Sequence, residues 1–248
     1  VGIKFALGEN PKSVYHDKNQ TPVTRMATAA LIREQLEKAK RYLQQLQKSE
    51  QDEDQDAPEY DAKCEALIPL LQGKTKAFFH AHRADDLFTA IRIAKEYQLD
   101  LVLVHATEGR LVADLLAQEH AKIVAGPLIC DRSKPELHQL SLQTPGVLAD
   151  RNCPIAICTD HPELPIQYLT LSCGLAVREG LSRELALRAI TLTAAQICGI
   201  DQRVGSIEAG KDADLAVYAA EDDPFSVYAK PQKVFINGKL VFEEKNES

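Results

Sequence analysis

Through the middle of the chain, short unbroken apolar runs alternate with longer segments whose apolar residues recur every three or four positions. Ala77–Phe79, Leu101–His105, Ile123–Gly126 and Ile155–Cys158 read as strands. Asp86–Tyr97, Arg110–Glu119, Pro165–Glu179 and Ser182–Cys198 carry the helical period, and Lys134–Asp150 reads as a helical or irregular connection. The strands lack polar alternation, as expected when helices cover a parallel sheet. Strands and helices in turn imply βαβ units, so the pattern predicts an α/β fold.

The two ends of the chain depart from this rhythm. Val1–Gly8 reads as a strand already in progress, with no initiator Met, so further sequence is expected upstream. From Thr24 to about Gln47, residues Met26, Ala29, Ala30, Leu36, Ala39, Leu43 and Leu46 form the apolar stripe of a long amphipathic helix. Glu50, Asp52, Glu53, Asp54, Asp56, Glu59 and Asp61 then crowd residues 49–61 without a single base, the composition of a solvated or disordered loop. At the other end, 204–218 and 233–242 read as strands with a tight turn at Asn237-Gly238. The expected division is 1–203 and a small β module at 204–248.

Composition narrows the class of partner. The 248 residues are 45% hydrophobic and 26% charged, with a formal net charge of -7, ordinary for a soluble globular protein. The acidic balance and the lack of a lysine-arginine cluster argue against nucleic acid or an anionic membrane and leave a small organic substrate. No run of 18 apolar residues occurs, and a cytoplasmic location is the expectation. Six scattered cysteines, none in a Cys-x-x-Cys pair, read as reduced core thiols.

The chemistry gathers where the apolar runs end. The first runs into His80-Ala81-His82, the second ends at His105, and another leads through Thr159 to Asp160. A parallel β/α barrel builds its sites at such strand ends, and a divalent transition metal takes imidazole and carboxylate ligands from several segments. His80 and His82 stand two apart and so share a strand face. Just beyond, Arg83 is placed to grip a carboxylate and Asp85 to shuttle a proton, while one of Asp85 and Asp86 is expected to cap the next helix. Glu108 and His161 follow the second and third ligands as substrate-facing or capping residues. Arg132 and Lys134 are weaker anchoring candidates, and His16, His120 and His138 read as structural.

Five motifs occur in order: residues 2–11 (GIKFALGENP), 80–86 (HAHRADD), 105–108 (HATE), 159–162 (TDHP) and 204–215 (VGSIEAGKDADL). Over nearly its whole length the chain resembles the amidohydrolase superfamily, specifically the imidazolonepropionase-related branch. The resemblance implies the C-terminal portion of a (β/α)8 TIM-barrel metal-dependent hydrolase, plus part of a small β-sandwich. It implies that a metal-activated water attacks an amide or cyclic C–N bond, with Asp160 binding the metal and relaying the proton, and His105 binding metal or orienting substrate. The remaining strand ligand is His82, with His80 the alternative, and Asp85 stands three residues after His82 where relatives often carry a catalytic carboxylate. Lys4 stands where some relatives carry a metal-bridging carboxylated lysine, with Glu9 as a substitute carboxylate. Zinc is the expected metal, iron or manganese the alternatives, and the substrate a small-molecule amide or cyclic amide. One departure matters: the family's first barrel strand ends in His-x-His, and this chain has no such strand before Val1. The site is therefore expected to be incomplete, needing the missing N-terminal part or an oligomer. A non-catalytic fragment or partner subunit, and a heterocycle deaminase, are the other readings.

Overall fold

The computed structural model describes residues 2–52 and 54–244; Val1, Glu53 and residues 245–248, on which parts of the expected first strand and acidic loop fall, lie outside the described residues. The chain divides into two compact units, Val1–Ala106 and Thr107–Ser248. The sequence-based boundary at 203/204 falls inside the second.

In the first unit, β1 (Gly2–Ala6), β2 (Lys76–Ala81) and β3 (Leu101–His105) lie side by side and parallel. The register sets Ala6 beside His80 and Ala81 beside His105. Ala77, Phe79 and Ala81, alternate residues of β2, are fully buried, and Phe79 stacks on Phe5 of β1 at 4.7 Å between ring centroids. Their cover comes from α2 (Arg25–Gln51), α3 (Ala62–Leu71) and α4 (Ala84–Tyr97), which bring Leu36, Leu70, Leu87 and Ile93 into the core.

Within α2 the buried residues are Thr28, Ala29, Leu36, Ala39 and Tyr42, close to the expected stripe. Met26 and Ala30, by contrast, are exposed, because they fall off the line that Ala29, Leu36 and Ala39 draw along the helix. Two helices escape the sequence pattern. α1 (Glu9–His16) contains Pro11, tolerated because the first turn has no intrahelical use for the missing N–H. α3 contains Pro69 close to its end, and the acidic stretch before it hides its start.

That start is Asp61, whose Oδ1 accepts from the backbone N–H groups of Lys63 and Cys64 while Lys38 Nζ donates to Oδ2 at 2.6 Å. The Lys38 bond first, and the helix N–H groups with it, hold the Asp61 carboxyl down at about 2. A carboxyl depressed in the folded state adds stability above its ordinary value near 3.8 and loses it as pH falls toward about 2. Asp61→Asn keeps the cap and removes the charge. Its melting temperature is expected to lie below wild type at pH 5, with the gap closing toward pH 2. A gap that does not depend on pH would exclude the charge as the cause.

In the second unit, β4 (Lys122–Ala125) and β5 (Ile155–Ile157) are parallel, and Cys158 N donates to Ala125 O at 2.9 Å. Gly126 follows β4 with φ 135°, and a Cβ there would stand 2.1 Å from Cys158 O, so only glycine lets the two strand ends approach. The helices described in this unit are α5 (Ala113–Gln118) before β4, α6 (Thr144–Asp150) between the two strands, and α7 (Leu169–Arg178), α8 (Arg183–Ile190) and α9 (Leu192–Cys198) after β5. The single helix expected over Ser182–Cys198 is broken at Thr191, where the backbone (φ -129°, ψ -101°) is not helical. β6 (Leu215–Val217), β7 (Lys233–Ile236) and β8 (Lys239–Glu243) form an antiparallel sheet with the expected turn, Asn237 and Gly238 both at positive φ as a type I′ hairpin requires. Residues 204–214 contain no strand.

All six cysteines are free thiols. Cys64, Cys153 and Cys173 are buried as expected, and burial pushes Cys173 up to about 12, an inert thiol. Cys130, Cys158 and Cys198 are only half-buried. Among the described residues no helix is long and apolar enough to cross a membrane.

Candidate metal centre

Three histidines of the first unit converge. His80 lies on β2, His82 directly follows it, and His105 closes β3. Each is at most 4% exposed. The rings of His82 and His105 stack at 4.6 Å between centroids, and His80 sets its edge against both, at 4.8 and 4.4 Å.

Strand alternation accounts for the first two but not the third. His105 registers with Ala81, one residue out of phase with His80. The pleat breaks there, with φ 77° at His105 and 47° at Ala106, a conformation that costs ordinary residues of order 1–3 kcal/mol each. Ala106 N still donates to Ala81 O at 3.0 Å, so the turn stays fastened to β2 while the imidazole joins the other two.

The donor set suits a transition-metal cation. The three ligand atoms lie within 4.8 Å of one another. Neutral imidazoles are the commonest nitrogen ligands of zinc, so three of them at this spacing fit such a cation.

Around the cluster runs a polar frame. Leu7 N donates to His80 O at 3.0 Å, and the Asn10 side-chain amide Nδ2 lies 3.4 Å from His80 Nε2. Arg25 donates to Glu9 Oε1 at 2.8 Å and to Asp86 Oδ2 at 3.0 Å, bridging the first turns of α1 and α4. Burial pushes the Glu9 carboxyl up, but the Arg25 and Lys12 bonds outweigh it and the net direction is down. At Asp86, whose side chain is 3% exposed, burial wins over Arg25 and the net direction is up.

Asp85, the expected proton shuttle, is held in an ion pair. Arg83 grips it with two bonds of 3.0 and 3.1 Å, and both side chains are about half exposed, 43% and 53%. Desolvation raises the Asp85 carboxyl, and Arg83 more than reverses it. Asp85 Oδ1 also accepts from Asp86 N, but both lie inside the first turn of α4; the N-cap is Arg83, no side chain caps the helix, and the cap expected of this pair is absent. Lys4 is exposed on β1, in register with Phe78 rather than with a histidine.

The remaining candidates belong to the second unit. Asp160 is half-buried in the turn beyond β5, with φ 51°, and its carbonyl accepts from Glu163 N at 2.9 Å. His161 is exposed in the same turn. Glu108 is half-buried and opens a short 3-10 turn, its carbonyl accepting from Leu111 N.

The amidohydrolase family model matches residues 63–241, most of the chain. The chain belongs to the amidohydrolase family. A solved amidohydrolase from Thermotoga maritima superposes with a TM-score of 0.93 at 40% identity, over 98% of this chain and 63% of that one. Amidohydrolase tasK of Hapsidospora irregularis is 28% identical over 259 residues, 98% of this chain and 26% of the relative. Imidazolonepropionase of Thermoplasma volcanium is 33% identical over 109 residues, 41% of this chain and 26% of the relative. The matches to these two curated relatives thus span only 26% of the length of each. The α/β fold is that of the amidohydrolase (β/α)8 barrel, of which the chain holds part, and the family is one of metal-dependent hydrolases.

Sequence reasoning reached the histidines but missed Asn10 and Arg25. Asn10 stands inside the first motif without a chemical signature of its own. Arg25 opens a helix far along the chain from both carboxylates it joins, and nothing in spacing reveals it.

Proposed function

We propose that the protein hydrolyses a C–N bond of a small-molecule amide or cyclic amide, using water activated by a divalent cation held by His80, His82 and His105. The single observation carrying this reading is the convergence of three buried imidazoles with ligand atoms within 4.8 Å of one another. Imidazole donors favour zinc, with iron(II) and manganese as weaker competitors for the site. When bound, such a cation would polarise the scissile carbonyl and acidify a water. In the role that the family resemblance gives it, Asp160 would take a proton from the attacking water and give it to the leaving nitrogen, so that the amine departs neutral and the carboxyl product keeps the oxygen. Arg83 and Asp85, an exposed pair directly after His82, meet polar groups of the substrate. Glu9, locked to Arg25 and Lys12, shapes the site.

The full-length protein, loaded with zinc and freed of excess, is expected to retain stoichiometric metal by elemental analysis. Failure to hold zinc, iron(II) or manganese would overturn the reading and leave a fold without its chemistry.

A further inference from the structure

We propose that Asn10 is a positioning residue for His80: its side-chain amide holds Nε2 of that ring, so that a cation is taken by Nδ1. The inference rests on the cation-binding reading of the histidine cluster.

Asn10 is well secured. The chain leaving β1 is pinned to β2 at the histidine itself, by Leu7 N donating to His80 O at 3.0 Å. Gly8, at φ 82°, turns the chain into α1, whose first turn contains Glu9 and Asn10. The Arg25 guanidinium then ties Glu9 to Asp86 with bonds of 2.8 and 3.0 Å. Asp86 lies in the first turn of α4, which begins two residues after His82. One rigid, planar group thus fastens the helix carrying Asn10 to the helix that follows the histidines. Against this frame, Asn10 Nδ2 stands 3.4 Å from His80 Nε2.

An amide serves both protonation patterns of a neutral imidazole. Nδ2 donates to a bare Nε2; turned over about its last bond, the group presents Oδ1 as acceptor to an Nε2–H. The second arrangement is the one a ligating histidine uses, since holding the far N–H fixes the tautomer, orients the ring and raises the basicity of the ligating nitrogen. Loss of such a partner typically costs ~10–100-fold in metal affinity.

Two substitutions separate this role from packing. Asn10→Leu keeps the approximate volume and removes both hydrogen-bonding ends; Asn10→Asp keeps only an acceptor, the function required with metal bound. In the full-length protein, zinc affinity measured against a competing chromogenic chelator is expected to fall ~10–100-fold in Asn10→Leu and to stay near wild type in Asn10→Asp, with both melting temperatures unchanged. Wild-type affinity in Asn10→Leu, or an Asn10→Asp as weak as Asn10→Leu, would overturn the proposal. Long-range proton-nitrogen NMR of histidine-labelled, metal-free protein gives a second reading. Wild type is expected to show one tautomer at His80 and Asn10→Leu a mixture, whereas identical spectra would sink the idea. Should wild type bind no zinc at all, the hydrolase reading falls, and the NMR comparison alone decides the role of Asn10.

Discussion

Asp160→Asn is expected to lower kcat by ~10²–10⁴, the usual contribution of a positioned proton-transfer group, while melting temperature and bound zinc stay near wild type. The carboxamide is nearly isosteric but cannot accept a proton from water. The backbone gives it no reason to unfold: Asp160 has φ 51°, a left-handed conformation that Asn adopts at least as readily as Asp. Zinc stays because the imidazole donors remain. The measurement is kcat of the full-length protein across a panel of N-acyl amides and cyclic amides, with zinc content determined on the same preparations. Turnover at the wild-type rate would remove Asp160 from the chemistry. Loss of zinc together with activity would reassign it from proton relay to ligand.

The second large effect is expected at His105, where function and stability pull in opposite directions. His105 sits at φ 77° and is followed by Ala106 at 47°, so the cluster exists at the expense of backbone strain. Asparagine is among the residues that best tolerate this region. His105→Asn therefore removes one of the three imidazoles while relieving the backbone. Zinc affinity is expected to drop by ~100-fold or more, since losing a ligand outweighs losing a ligand's partner, while the melting temperature of the metal-free protein stays level or rises. Chelator competition and thermal melting on the same samples check both halves. A variant that melts earlier and still binds zinc would reverse the account on both counts.

These strained positions mark where sequence reading stopped. The apolar run Leu101–Val104 identified β3, and the residue closing it identified a ligand type. Yet simple alternation, applied to the register of Ala81 with His105, would send that imidazole away from His80. The opposite case is Asp85, legible as chemistry from its distance to His82 but engaged by Arg83 two residues earlier in the chain. Local spacing names a carboxylate without saying which cation reaches it first. Helix ends were harder still. α1 was hidden by a proline that is harmless in a first turn and α3 by the acidic stretch before it, and the break at Thr191 lies inside a segment whose apolar period runs on unbroken.

The sequence by itself determined the parallel α/β class, the family and the residue types of the centre. Those properties follow from the order of apolar runs and from what stands at their ends, and both are local. Only the tertiary structure decided that His80, His82 and His105 meet, that Arg25 joins Glu9 to Asp86, and that Asn10 reaches His80. Each depends on contacts between segments far apart in the chain and on backbone angles that no pattern of hydrophobicity encodes. The apolar runs Ala77–Phe79 and Leu101–Val104 set the imidazoles at neighbouring strand ends; the turn at His105 brings the third to the other two.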